Sequence, residues 1–115
     1  MIPGLSRGDV YDVDIPIAGV RPAVILTRTV AIPYLSSVTV AEVTGTIRGI
    51  PSEVLIEPSY DLRLEHESAI NCDNLFTVRK ERLLVREGRP VFRGRLDPGK
   101  LRELNQALRI ALELD

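Results

Sequence analysis

The closing stretch LDPGKLRELNQALRIALELD (96–115) has a periodicity that the rest of the chain lacks, and this contrast decides the fold class. Asp97 suits an N-cap, and Pro98 suits the first helical position, where its missing N–H costs nothing. At ~100° per residue Leu101, Leu104, Leu108, Ala111 and Leu112 share one face, so a docked amphipathic helix is expected over 97–113. Ile110 falls opposite, either as a stray exposed residue or as a contact for a partner. Upstream, apolar residues come in short pieces. DVYDVDI (9–15) sets Val10, Tyr11, Val13 and Ile15 among acids, and RPAVILT (21–27) is almost continuously apolar, as in a central strand. SVTVAEVT (37–44), SEVLIEP (52–58) and SAINCDNLF (68–76) follow, with Gly or Pro in the links. So many short strands with one terminal helix imply an α+β, mainly β domain whose sheet is strongly bent or closed.

At 115 residues, 44% hydrophobic and 27% charged, the chain reads as a single domain over 1–115. Charges or prolines interrupt every apolar run before membrane-spanning length, and MIPGLSRGDVY lacks a signal-peptide layout. The single cysteine, Cys72, rules out an internal disulfide and fits a reducing cytoplasm. With one histidine, His66, there is no cysteine zinc cluster and little for a nitrogen-rich metal site. His66 sits among acids in LEHES, the setting of a solvated loop residue, and Glu53, Glu57, Asp61, Glu65 and Glu67 suit a solvated acidic face. Net charge is −1, so a polyanion would need a local patch. Arg21, Arg28, Arg48, Arg79 and Lys80 are the candidates. Phe76 and Tyr34 are either base-stacking aromatics or core.

The run AINCDN (69–74) does not suit a plain strand. Asp and Asn compete with ladder hydrogen bonds, so Asn71, Cys72, Asp73 and Asn74 in succession mark either an Asx turn or a site. Cys72 fits a small buried hydrophobe in both cases. A carboxylate at Asp73 can take a proton or orient a cation. Asn74 offers both donor and acceptor to a base edge or a phosphate.

In order, RGDVYDVDI, RPAVILT, VTVAEVT, SEVLIEP, AINCDNLFTV and GRLDPGKLRELNQALRIALEL resemble the MazF/PemK toxins, over roughly residues 6–114. The resemblance implies an SH3-like barrel with a C-terminal helix, assembled as a homodimer. It implies a cytoplasmic endoribonuclease that cuts single-stranded RNA at short sequences without a metal or other cofactor. It also implies an antitoxin partner, whose acidic, disordered tail would compete with RNA. Arg21, in the family's RP, would stabilise charge on the scissile phosphate, because a guanidinium stays cationic and forks onto two oxygens. Thr44 corresponds to the family's active-site threonine, and Asp73 to its acid, as base or as anchor for Arg21. Asn74, Arg28, Arg48, Phe76, Arg79 and Lys80 complete the expected RNA-binding set. The family's longer first loop shrinks here to PIAGV (16–20), and the serine or histidine it carries is absent. Two other classes are a non-catalytic binding barrel and a gyrase-poisoning toxin of the same fold. The latter's C-terminal tryptophan has no counterpart, since the chain has no Trp.

Overall fold

The computed structural model describes residues 4–114. Six antiparallel strands form one sheet in the order β4-β5-β3-β2-β1-β8. They are β1 (Asp9–Ile15), β2 (Gly19–Ile25), β3 (Ser37–Thr44), β4 (Glu53–Ile56), β5 (Ser68–Arg79) and β8 (Phe92–Arg95). The small hairpin β6 (Val85–Arg86) and β7 (Arg89–Pro90) lies beside it, and a 3-10 turn (Thr29–Tyr34) links β2 to β3. The sheet bends into a half-barrel closed by α1 (Pro98–Leu112). Segment 59–62 reaches from the β4 side to β8, where Leu62 pairs with Gly94. A Cβ on Gly94 would sit 2.1 Å from the Asp61 carbonyl oxygen, and its φ of 147° is open to glycine, so this seam depends on that residue.

Strand alternation divides the apolar side chains between two cores. Val10, Val24, Ala41, Val43, Ile70 and Cys72 face α1, which contributes Leu104, Ala107 and Leu108. Tyr11, Val13, Ala23, Ile25, Val38, Val40 and Val78 face the other way and are covered by Leu5, Ile32 and Leu83. The helix starts where expected, with the Asp97 side chain accepting from the Lys100 N–H at 2.8 Å. Its buried face includes Ala107, while Leu112, expected on that face, is half-exposed because it lies in the last turn. Ile110 is exposed.

Two of the acids of β1, Asp9 and Asp12, are buried. Arginines of β8 explain this: Arg93 forks onto Asp12 with two 2.9 Å hydrogen bonds, and Arg95 meets Asp9 at 2.6 Å. Paired in this way, a buried carboxylate avoids most of its desolvation cost. The short, arginine-rich β8 does not read as a strand in the sequence.

β5 is longer than the 68–76 expected, and it contains a bulge. Its register against β3 jumps from Ala41↔Leu75 to Glu42↔Asn71. Cys72 and Leu75 both pack toward α1, and between them Asn74 turns to the opposite face, where it reaches Glu42, while Asp73 reaches Ser52 on the neighbouring edge. Asn71 steadies the bend by accepting the Asp73 N–H at 3.0 Å. The AINCDN run is therefore an Asx turn inside a strand, which frees the Asp73 and Asn74 side chains for separate partners.

Candidate functional site

Arg21 lies on β2, on the face away from α1, with its side chain 39% exposed. Its guanidinium is held from two sides. The Nε–H donates to the Ala18 carbonyl at 3.1 Å, and Nη1 meets Glu42 Oε1 at 2.8 Å. Of its five N–H donors, three remain for a ligand. The short first loop thus has a structural use, since the Ala18 carbonyl anchors the arginine. Glu42 was not among the residues singled out from the sequence. Its side chain is only 9% exposed, and its second oxygen accepts from Asn74 Nδ2 at 2.9 Å. One carboxylate therefore ties β2 to the bulge of β5. The available signal was an acid in VAEVT on the face where alternation supplies Val38 and Val40.

Arg21 does not pair with Asp73, as one expected role for Asp73 required. Asp73 Oδ2 accepts instead from Ser52 Oγ at 2.5 Å. Ser52 lies beside the bulge, since its carbonyl accepts the Cys72 N–H, whereas Glu42 lies on β3, next to β2. Asp73 is exposed and uses only Oδ2 in this bond. Thr44 shares the face of Glu42. The β2–β3 register, Ala23↔Glu42, extended by two residues sets Thr44 across from Arg21. Its hydroxyl accepts the Thr46 N–H at 3.1 Å and is half-exposed. Arg21, Thr44 and Asn74 thus lie on one face around Glu42, with Asp73 next to Asn74 in the bulge but bonded to Ser52.

The expected basic patch does not gather there. Arg79 pairs with Ser37, five residues along β3 from Glu42, roughly 17 Å at strand rise. Its charge is shared with Glu81 at 2.9 Å, which holds the Glu81 carboxyl below its ordinary range. Lys80 points back to the Ile32 carbonyl at 2.6 Å. Arg28 begins the 3-10 turn and is exposed at that same far end. Arg48 lies beyond Thr44 in the 45–52 loop, which Glu53 closes by accepting the N–H groups of Arg48 and Gly49. Glu53 therefore braces a loop rather than joining a solvated acidic face. Phe76 packs against the core on the Arg21 face, and Tyr34 is exposed.

His66 is exposed, yet its ring lies over Gly45, where a Cβ would come within 2.7 Å of Cε1. It lines a cleft of about 300 Å³ with Arg21, Ser68, Arg86 and Arg93. Cys72 is buried behind the bulge. Burial first, and the Asp73 charge second, push its thiol up to about 11. Among the described residues no group of three His, Cys, Asp or Glu side chains is arranged to hold a metal.

A family model described as PemK-like, MazF-like toxin of type II toxin–antitoxin systems matches residues 6–112. A probable endoribonuclease MazF5 of Mycobacterium tuberculosis is 37% identical over 108 residues, 94% of this chain and 93% of that protein. The solved Mycobacterium tuberculosis toxin MazF-mt6 superposes with a TM-score of 0.79 at 32% identity, covering 93% of this chain and 98% of that one. An endoribonuclease from a mycobacterial species, solved in complex with its cognate antitoxin, gives 0.80 at 28% identity over 97% and 98% of the two chains.

Proposed function

Because the chain belongs to the PemK-like, MazF-like toxin family of type II toxin–antitoxin systems, we propose that it is the toxin of such a pair, an endoribonuclease that cuts single-stranded RNA and is silenced by its own antitoxin. The observation that carries the reading is Arg21, gripped by Ala18 and Glu42 with part of its guanidinium open and Thr44 across from it. A cation fixed in this way needs no rearrangement as charge builds on a phosphate, which is where electrostatic catalysis acts most strongly. Arg21 holds the non-bridging oxygens, and the Thr44 hydroxyl donates to one of them or aligns the ribose 2′-hydroxyl for in-line attack. Asp73, with one oxygen open, faces the ribose or a base amino group. Asn74 and Phe76 line the groove beside it, and Arg28, Arg48, Arg79 and Lys80 track flanking phosphates. The enzyme works as a homodimer in the cytoplasm; among the described residues no helix is long and apolar enough to cross a membrane. The test is incubation of the purified protein with single-stranded RNA in EDTA. Fragments ending in 2′,3′-cyclic phosphate are expected. Intact RNA under all conditions would return the protein to the class of binding barrels.

A further inference from the structure

We infer that Glu42 is the general base of the reaction, taking the proton of the ribose 2′-hydroxyl; the assignment rests on the endoribonuclease reading above. Packing does not account for this residue. On its face β3 otherwise buries Val38 and Val40, and an acid there is costly unless charge and hydrogen bonds compensate it. The compensation comes from two groups of the site itself, Arg21 at 2.8 Å and Asn74 at 2.9 Å. Each carboxylate oxygen can accept a second hydrogen bond, so both keep an open acceptor position. A phosphate oxygen gripped by the rest of the Arg21 guanidinium lies within about 5 Å of the Glu42 carboxylate, a reach that a neighbouring 2′-hydroxyl spans. Asp73, the alternative carboxylate, is exposed, bonded to Ser52 and has no contact with Arg21. The first loop supplies no serine or histidine for the task, its residues being PIAGV.

The ion pair couples the two halves of the chemistry. Before reaction Glu42 neutralises Arg21. As the O2′–H proton passes to Glu42, O2′ bonds to phosphorus and the P–O5′ bond breaks. The charge on the phosphoryl oxygens grows while the charge on Glu42 disappears, so the full cation of Arg21 becomes available to the transition state and not to the ground state. The departing 5′ oxygen takes a proton from water, and the protonated Glu42 returns its proton to the hydroxide so formed. The products are a 2′,3′-cyclic phosphate and a 5′-hydroxyl, with Glu42 restored.

Glu42→Gln separates this role from simple positioning. The amide oxygen still accepts from Arg21, and the Asn74 amide can turn to accept from the new NH₂, so the bridge survives while the base is lost. Single-turnover cleavage should fall by ~10²-fold or more, in the range of general-base removal. Binding of an RNA carrying a 2′-deoxy sugar at the cleavage position should stay equal or tighten, because Arg21 loses its competing anion. Cleavage at the wild-type rate, or a rate loss matched by an equal loss of binding, overturns the assignment. Should thermal melting show Glu42→Gln unfolded, Glu42→Asp keeps the charge and retracts the carboxylate by one methylene. It should then cut at least ~10-fold more slowly with unchanged binding, and a wild-type rate in that variant overturns the role equally. If the wild-type protein itself leaves RNA intact, the endoribonuclease reading fails and the Glu42 assignment with it. A failure in the variants alone removes only Glu42.

Discussion

At the scale of single residues, the proposed site turns on one guanidinium, that of Arg21. Arg21→Ala is expected to lower the cleavage rate by ~10²–10³-fold, the usual contribution of one oriented donor to a transition-state oxyanion. The fold should survive with a lowered melting temperature, because buried Glu42 loses its cation but keeps the Asn74 hydrogen bond. Arg21→Lys should recover little, since an ammonium cannot hold Ala18, Glu42 and a phosphate in one plane. Rate measurement together with melting curves checks both variants, and an unfolded Arg21→Ala would move the residue from chemistry to architecture. Cys72 supports a prediction of another kind. Its thiol rises from the ordinary 9.0 to about 11 in the fold, so the unfolded chain ionises first as pH climbs. The stabilisation is complete below pH ~9 and drains as pH rises toward ~11, by about 3 kcal/mol at ~1.4 per unit. Cys72→Ala, although less stable at neutral pH, should lose less over that interval. Parallel losses in the two proteins would contradict this.

At the scale of elements, the helix and the bulge work in different ways. α1 closes the half-barrel by burying Leu104, Ala107 and Leu108 against Val24, Ile70 and Cys72. Its start is held by the Asp97 cap, and Lys100 in its first turn reaches the Leu55 carbonyl on the edge strand β4 at 2.8 Å. Asp97→Ala should cost about 1 kcal/mol in a denaturant titration and leave the cleavage rate per folded molecule unchanged, because Arg21 lies on the opposite face of the sheet. A larger loss confined to activity would mean that the helix position controls the site. The bulge in β5 instead interrupts the ladder. It brings the Asn74 amide to Glu42 and the Asp73 carboxylate to Ser52.

At the scale of the whole molecule, a net charge of −1 means that polyanion binding is local. Arg21 sits beside Glu42, and Arg79 lies five residues further along β3, roughly 17 Å from Glu42 at strand rise, with Arg28 exposed at the same end. That spacing suits an extended ligand, either a strand of nucleotides or an acidic peptide. The antitoxin is expected to lay its acidic C-terminal segment over Arg21 and exclude RNA, with affinity falling as salt rises. Competition between the tail peptide and a non-cleavable RNA checks this. Simultaneous occupancy of one site would place inhibition elsewhere, for instance on α1.

The sequence by itself determined the helix, its cap and its buried stripe, because period and capping are local properties that no distant contact needs to supply. It also determined the strand-rich body, since short apolar runs between turn residues have few other uses. Asp73 and Asn74 stood out as an unstrandlike run, while Thr44 and the particular role of Arg21 were legible only through the ordered set of segments shared with a family. Which of them meet was not legible. That Asn74 reaches Glu42 depends on a register shift between β3 and β5, where residues 72–74 lack partners on β3, and such an odd insertion reverses the face of everything beyond it. Glu42 looked like an ordinary acid in an alternating strand until β2 was laid beside it. The pairing of Asp9 and Asp12 with Arg95 and Arg93 likewise joins residues more than eighty positions apart. Contacts of that range are fixed by sheet order and by the need to compensate buried charge, and only the tertiary structure decides them.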